Sequence, residues 1–84
     1  MLKIILLTAA LLWPLFSVAA PVNVNIADAR EIQKHLDGIG PVLSRRIVDY
    51  RREHGAFSSP ADLDRVKGIG ARTLAKNAVN LRVR

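Results

Sequence analysis

Apolar residues recur at helical spacing in four segments of the chain, and each segment begins or ends at a glycine, a proline or a capping residue. The first predicted helix begins at Asp28, whose carboxylate suits the capping position with Glu31 three residues further on. Ile32 and Leu36 then form its apolar face. The second helix is predicted over 41–53, because a proline is well placed in a first helical turn.

The second half of the chain repeats this plan on a smaller scale. A connector carries Phe57, which we expect to fill the core, and a short third helix follows with Ser59 as its cap. The fourth helix is predicted from Ala71 onward, with Leu74 and Ala78 on its inner face. No segment alternates between apolar and polar residues as a half-buried strand does. The pattern therefore predicts an all-α domain of four short helices.

The same turn stands between the helices of each pair. Gly38-Ile39-Gly40 returns as Gly68-Ile69-Gly70, thirty residues later, within predicted hairpins at 37–40 and 67–70. We expect the glycines at both flanks to take positive φ angles, which side chains disfavour. Glycine also lets phosphate oxygens approach the backbone N–H groups closely. Plain helix C-caps are the alternative explanation of such glycines.

Residues 1–19 have the composition of a secretory signal peptide. Lys3 precedes an apolar run that ends near Pro14, and Ser17 and Ala19 fit the small residues at a cleavage site. We expect the mature chain to begin at Ala20, with a lead-in over 20–27 and the helical domain over 28–84. An uncleaved membrane anchor is the alternative, because the apolar stretch is about as long as a minimal span. The protein is therefore expected outside the cytoplasm.

Charge adds weight to the phosphate interpretation. The chain has a net charge of +6, and removal of Lys3 leaves 12 of its 13 basic residues against 7 acidic ones, a net charge of +5. Basic residues lie in or just after both hairpins, where they can meet a polyanion. The candidate DNA ligands are Gly38, Ile39, Gly40, Val42, Arg45, Arg46, Lys67, Gly68, Ile69, Gly70, Ala71, Arg72 and Lys76, the apolar ones through their backbone amides.

Several basic residues have a second interpretation. Arg45 is placed to pair with Asp49 one turn later, and Arg46 fits an ordinary solvated position. Arg51 and Arg52, at the far end of the second helix, are expected to be solvated surface residues.

Composition excludes other kinds of nucleic-acid binding and of site. Trp13 and Phe16 lie in the signal segment, and Tyr50 and Phe57 fit core positions, so no aromatic platform remains for stacking unpaired bases. The chain has no cysteine, and its two histidines share no helix face, so we expect neither a disulfide nor a metal site. No cofactor and no small-molecule substrate are expected. Duplex backbone binding, which carries no sequence information, is the interpretation that remains.

The chain resembles a tandem helix-hairpin-helix domain and, within that group, the ComEA family of competence proteins. The matching residues are Val24-Asn25-Ile26, Ala27-Asp28-Ala29-Arg30-Glu31, Gly38-Ile39-Gly40-Pro41, Ile47-Val48-Asp49-Tyr50-Arg51, Gly55-Ala56-Phe57, Asp62-Leu63 and Val66-Lys67-Gly68-Ile69-Gly70. This resemblance implies an exported receptor that binds double-stranded DNA without sequence preference. It also implies a role in DNA uptake during natural transformation, with membrane-associated uptake machinery as a partner.

Two other functions compete with a DNA receptor. Helical hairpin domains also serve as protein–protein interaction modules or adaptors. Some DNA glycosylases combine one such hairpin with a downstream aspartate, and Asp62 and Asp64 stand at a comparable distance. The second hairpin occupies the length that a base-accepting pocket needs, however, and no nucleophile stands beside a base. We therefore expect no enzymatic activity.

Overall fold

A computed structural model of the protein describes residues 21–84, so the predicted signal segment and its cleavage site lie outside the described residues. The elements, in chain order, are β1 (Val22–Asn23), α1 (Ala29–His35), α2 (Pro41–His54), a 3-10 helix (Pro60–Arg65), α3 (Ala71–Lys76) and β2 (Leu81–Arg82). The predicted fold class is confirmed: the domain is mainly helical, with two helical pairs joined by a connector.

The first helical pair follows the sequence pattern closely. The Asp28 side chain accepts a hydrogen bond from the Glu31 amide at 2.8 Å, which caps α1 as predicted. α2 begins at Pro41 and ends at His54, one residue later than predicted. Ile32 on α1 and Ile47 on α2 are fully buried, so the two helices share the core.

The second helical pair is shorter and departs from the prediction. The third helix is a 3-10 helix, and the Ser59 side chain makes no capping hydrogen bond. The Asp62 carboxylate instead accepts a hydrogen bond from the Ser58 amide at 3.2 Å and so closes this turn. α3 ends at Lys76, so Ala78 lies beyond the helix.

The termini pair in a short parallel ladder that the sequence pattern did not predict. Val22 is opposite Leu81, and Asn23 is opposite Arg82. The Val24 amide donates to the Arg82 carbonyl at 2.9 Å, which continues the pairing. Strands of two residues are too short to show alternation in the sequence. Their effect is to close the domain by joining its two ends.

The predicted lead-in is part of the folded core. Val22, Val24 and Ala27 are buried with the apolar residues of both helical pairs. The prediction that Arg51 is a solvated surface residue is wrong, because its Nη1 donates to the Val24 carbonyl at 2.7 Å and to the Ala27 carbonyl at 2.5 Å. Arg51 therefore fastens the lead-in to α2.

Phe57 fills the core, as predicted, and Asn25 fixes the connector around it. Phe57 is buried, and half-buried Tyr50 stacks on its ring with the centroids 5.2 Å apart. The Asn25 side chain accepts from the Phe57 amide at 2.7 Å and donates to its carbonyl at 3.0 Å. It also donates to the Val83 carbonyl at 2.8 Å, so one side chain joins the lead-in, the connector and the C-terminus.

Candidate nucleic-acid interface

The two glycine turns have the same backbone course. Gly38 and Gly68, the first glycine of each turn, have φ angles of 77° and 99°. Gly40 and Gly70, the second glycines, have φ angles of −90° and −121°, which any residue can adopt. The expectation of positive φ at both glycines is therefore correct for the first and wrong for the second. A requirement for glycine at the second position must come from what approaches it, not from backbone strain.

The isoleucine between the glycines anchors each turn. Ile39 and Ile69 are both 4% exposed, and their side chains belong to the core. All four glycines around them are exposed. Each turn is thus held from below by an apolar side chain while its backbone remains at the surface.

Backbone N–H groups of these turns remain available to a ligand. Among the described residues, the candidate amides donate to no acceptor in the protein, with one exception. The Ile69 amide donates to the Val66 carbonyl at 3.0 Å, so this amide stabilises its own hairpin. Consecutive N–H groups in a turn form an anion-binding concavity. The available amides are those of Gly38, Ile39, Gly40, Val42, Gly68, Gly70, Ala71 and Arg72.

Hairpin 2, residues 67–70, packs directly against α2. A Cβ atom built on Gly68 lies 2.6 Å from Leu43 Cδ2 and 3.2 Å from Arg46 Nη1. The Arg46 guanidinium donates to the Lys67 carbonyl at 2.9 Å. The helix that follows the first hairpin therefore holds the second hairpin.

The reverse contact holds hairpin 1, residues 37–40. Asn77, directly after α3, is only 3% exposed and accepts from the Asp37 amide at 2.6 Å. Its side-chain nitrogen donates to the Asp37 carbonyl at 2.8 Å and to the Thr73 carbonyl at 2.9 Å. Lys76 Nζ lies 3.9 Å from the Asp37 carboxylate. Each hairpin is thus braced by the segment that follows the other, which fixes the two turns relative to one another.

The predicted basic ligands fall into two groups. All five side chains are exposed. Arg46, Lys76 and the Lys67 carbonyl take part in the contacts between the two halves, whereas Arg45, in the second turn of α2, and Arg72, in the first turn of α3, do not. The alternative ion pair of Arg45 with Asp49 does not form among residues 21–84. Arg52 is exposed, as predicted.

Sequence reasoning missed the residues whose side chains join distant parts of the domain. Asn77 and Arg51 act on residues that lie 40 and 24 to 27 positions away in the chain, and neither position carries a local signal. In the sequence, Asn25 stands out only as one residue of the family resemblance. In the structure, its side chain makes three hydrogen bonds that join the lead-in to the connector and the C-terminus.

We also searched residues 21–84 for a metal site, a membrane-spanning helix and a catalytic aspartate. No group of three or more metal-ligating side chains occurs there, and none of the helices is long and apolar enough to cross a bilayer. Of the two aspartates considered for catalysis, Asp62 lies 3.9 Å from Arg65 in addition to closing the 3-10 turn, and Asp64 is exposed. Hydrogen bonding to Tyr50, followed by attraction to Asp62, raises the pKa of Arg65. These groups form a polar cluster between α2 and the 3-10 helix that precedes hairpin 2.

Sequence comparison with known proteins identifies the family to which these two hairpins belong. A family model described as a helix-hairpin-helix motif matches residues 17–82, so the chain belongs to the helix-hairpin-helix family. Among its relatives is ComE operon protein 1 of Bacillus subtilis, which is 39% identical over 57 residues. That match covers 68% of this chain and 27% of the relative. It confirms the resemblance to the ComEA family.

Two further relatives show how widely the domain occurs. An uncharacterized protein of Haemophilus influenzae is 48% identical over 60 residues, covering 71% of this chain and 54% of that protein. The human endonuclease/exonuclease/phosphatase family domain-containing protein 1 is 42% identical over 50 residues, covering 60% of this chain and 9% of that protein. The chain thus spans about half or less of each relative, so their whole-protein activities do not transfer to it directly.

Proposed function

We propose that this protein binds double-stranded DNA without sequence preference, by placing its two hairpins against backbone phosphates. The observation that carries the proposal is the pair of matching turns whose exposed N–H groups lack acceptors among the described residues. Reciprocal contacts through Arg46 and Asn77 hold these turns at a fixed separation. A ligand with phosphates at regular intervals matches such a pair of anion-binding turns.

The side chains around the turns support backbone contact over base recognition. The described aromatic residues are engaged, because Phe57 is buried and Tyr50 stacks on both Phe57 and His54. Bases therefore meet no exposed aromatic platform there of the kind that single-strand binding proteins use. α3 has only six residues, which is short for a recognition helix in a major groove. The remaining mode is contact with phosphate and sugar, which is indifferent to sequence.

The cellular role that fits best is capture of DNA outside the cytoplasm as a receptor for uptake. Two observations support it: the signal-peptide composition of residues 1–19 and the homology to ComE operon protein 1. Membrane-associated uptake machinery is the partner that this role requires. No enzymatic step is proposed: Asp62 closes the 3-10 turn and contacts Arg65, and Asp64 is exposed on the surface of the same turn.

A protein-interaction module is the second candidate, and exposed apolar residues favour it. Ile26 and Val79 are 79% and 85% exposed, which is high for large aliphatic side chains. Such a module binds a partner protein but shows no salt-sensitive affinity for plain duplex DNA.

A mobility-shift experiment separates the two candidates. The purified protein is titrated into two duplexes of unrelated sequence and one single strand of equal length. DNA binding predicts similar affinity for both duplexes and weaker affinity for the single strand. Absence of any shift at low salt, with helical content intact by circular dichroism, contradicts the proposal and supports the interaction module.

A further inference from the structure

The two hairpins share a backbone course but carry different charge. Asp37 of hairpin 1 stands at the position of Lys67 in hairpin 2, and Val42 stands at the position of Arg72. Val42 is 63% exposed, although an apolar side chain gains nothing from contact with water. Hairpin 2 thus presents two basic side chains where hairpin 1 presents an acidic one and an apolar one.

The contacts between the two halves increase this difference. Arg46 belongs to α2 but directs its guanidinium to the Lys67 carbonyl, so its positive charge lies at hairpin 2. Lys76 belongs to α3 but approaches the Asp37 carboxylate, so its charge is offset at hairpin 1. Three basic side chains, Arg46, Lys67 and Arg72, therefore surround hairpin 2. At hairpin 1, the charge of Lys76 is offset by the charge of Asp37. Arg45 lies one helical turn beyond Val42.

We propose that the hairpins hold the duplex unequally: hairpin 2 makes the ionic contacts to phosphate, and hairpin 1 makes an uncharged contact through its amides. In the latter contact, the Val42 side chain lies against the apolar carbons of a deoxyribose. The inference rests on the proposed DNA-binding function. It makes Val42 and Arg72 the residues that set how strongly each hairpin binds.

Counterion release provides a direct measure of this inequality. Each phosphate neutralised by a basic side chain adds about 0.9 to the steepness of the plot of log K against log[salt]. One such contact therefore changes the affinity ratio between 50 and 200 mM salt by roughly 3.5-fold. Uncharged contacts change affinity with little effect on this ratio, so ionic and neutral hairpins are distinguishable by salt titration.

The experiment exchanges the two residues. Duplex binding by the full-length protein is measured between 50 and 200 mM salt for the wild type, for Val42→Arg, for Arg72→Val and for the double variant. Val42→Arg should make the slope steeper by about one unit, and Arg72→Val should make it shallower by about the same amount. The double variant, which keeps the total charge, should return to the wild-type slope.

A matched control separates local contact from total charge. Ala56→Arg adds one positive charge at an exposed position beyond the far end of α2, and it should change the slope by much less than Val42→Arg does. Val42→Lys repeats the test if the arginine variant loses helical content. An unchanged slope in both folded Val42 variants, or in Arg72→Val, overturns the inference. If the wild-type protein binds no duplex at all, the proposed function itself fails.

Discussion

Replacement of Gly68 by alanine tests the interlock between hairpin 2 and α2. The new Cβ atom would lie 2.6 Å from Leu43 Cδ2, and the φ angle of 99° disfavours any side chain. Positive φ costs roughly 1–2 kcal/mol, and overpacking against Leu43, which is half-buried and packs on the core, adds about 1–3 kcal/mol. We therefore expect Gly68→Ala to lower the free energy of unfolding by about 2–5 kcal/mol.

The chain offers matched controls for this prediction. Gly38 has a positive φ of 77° but nothing within 4 Å of its Cβ position, so Gly38→Ala should show only the conformational cost of about 1–2 kcal/mol. Gly70→Ala meets neither obstacle, because its φ is −121° and nothing lies within 4 Å. The loss in free energy of unfolding is therefore expected to be largest for Gly68→Ala, smaller for Gly38→Ala and smallest for Gly70→Ala.

Thermal and urea unfolding followed by circular dichroism measure these differences. A loss of 2 kcal/mol lowers the melting temperature of a domain this small by roughly 8–16 °C. The losses are large beside the ~3–5 kcal/mol that a single core of this size supplies. A Gly68→Ala protein as stable as the wild type would refute the packing argument, and so would a Gly70→Ala protein as damaged as Gly68→Ala.

Three further predictions follow from the hairpin contacts. Gly70→Val should leave helical content intact but weaken duplex binding at least about tenfold, since its branched side chain blocks the approach of phosphate; anisotropy titration measures this. Asn77→Ala should cost about 1–3 kcal/mol in urea unfolding, because hairpin 1 loses its buried brace, and an unchanged midpoint would show that this brace is dispensable. Joint replacement of Lys67 and Arg72 by alanine should make the salt slope shallower by about two units on every duplex, whereas Arg52→Ala should leave it nearly unchanged.

Local signals in the sequence were sufficient to place the helices and the glycine turns, but not to predict the 3-10 form of the third helix, the end of α3 at Lys76 or the negative φ of the second glycines. Asp28, Pro41 and the glycine repeats act within a few residues of themselves, so their pattern predicts where helices begin and hairpins lie. Phe57 was predictable as a core residue, because burial of a large apolar ring is favourable and the connector around it carries no other large apolar side chain.

Contacts between distant residues were not predictable in this way. Arg51 resembles any basic residue on the polar side of a helix, and only the folded lead-in presents carbonyl groups to it. Asn77 resembles a plain helix end until hairpin 1 is placed beside it. The two-residue strands depend on the meeting of both ends of the domain. Secondary-structure propensities of single residues do not report such contacts between distant segments.

The salt dependence of duplex binding tests the central claim most directly. Four neutralised phosphates predict a slope near −3.6 in log K against log[salt], from about −0.9 for each contact. We expect this slope on duplexes of unrelated sequence, with affinities that agree within about tenfold, or 1.4 kcal/mol. A slope near zero, or a preference beyond tenfold for one sequence, would contradict phosphate binding by the paired hairpins.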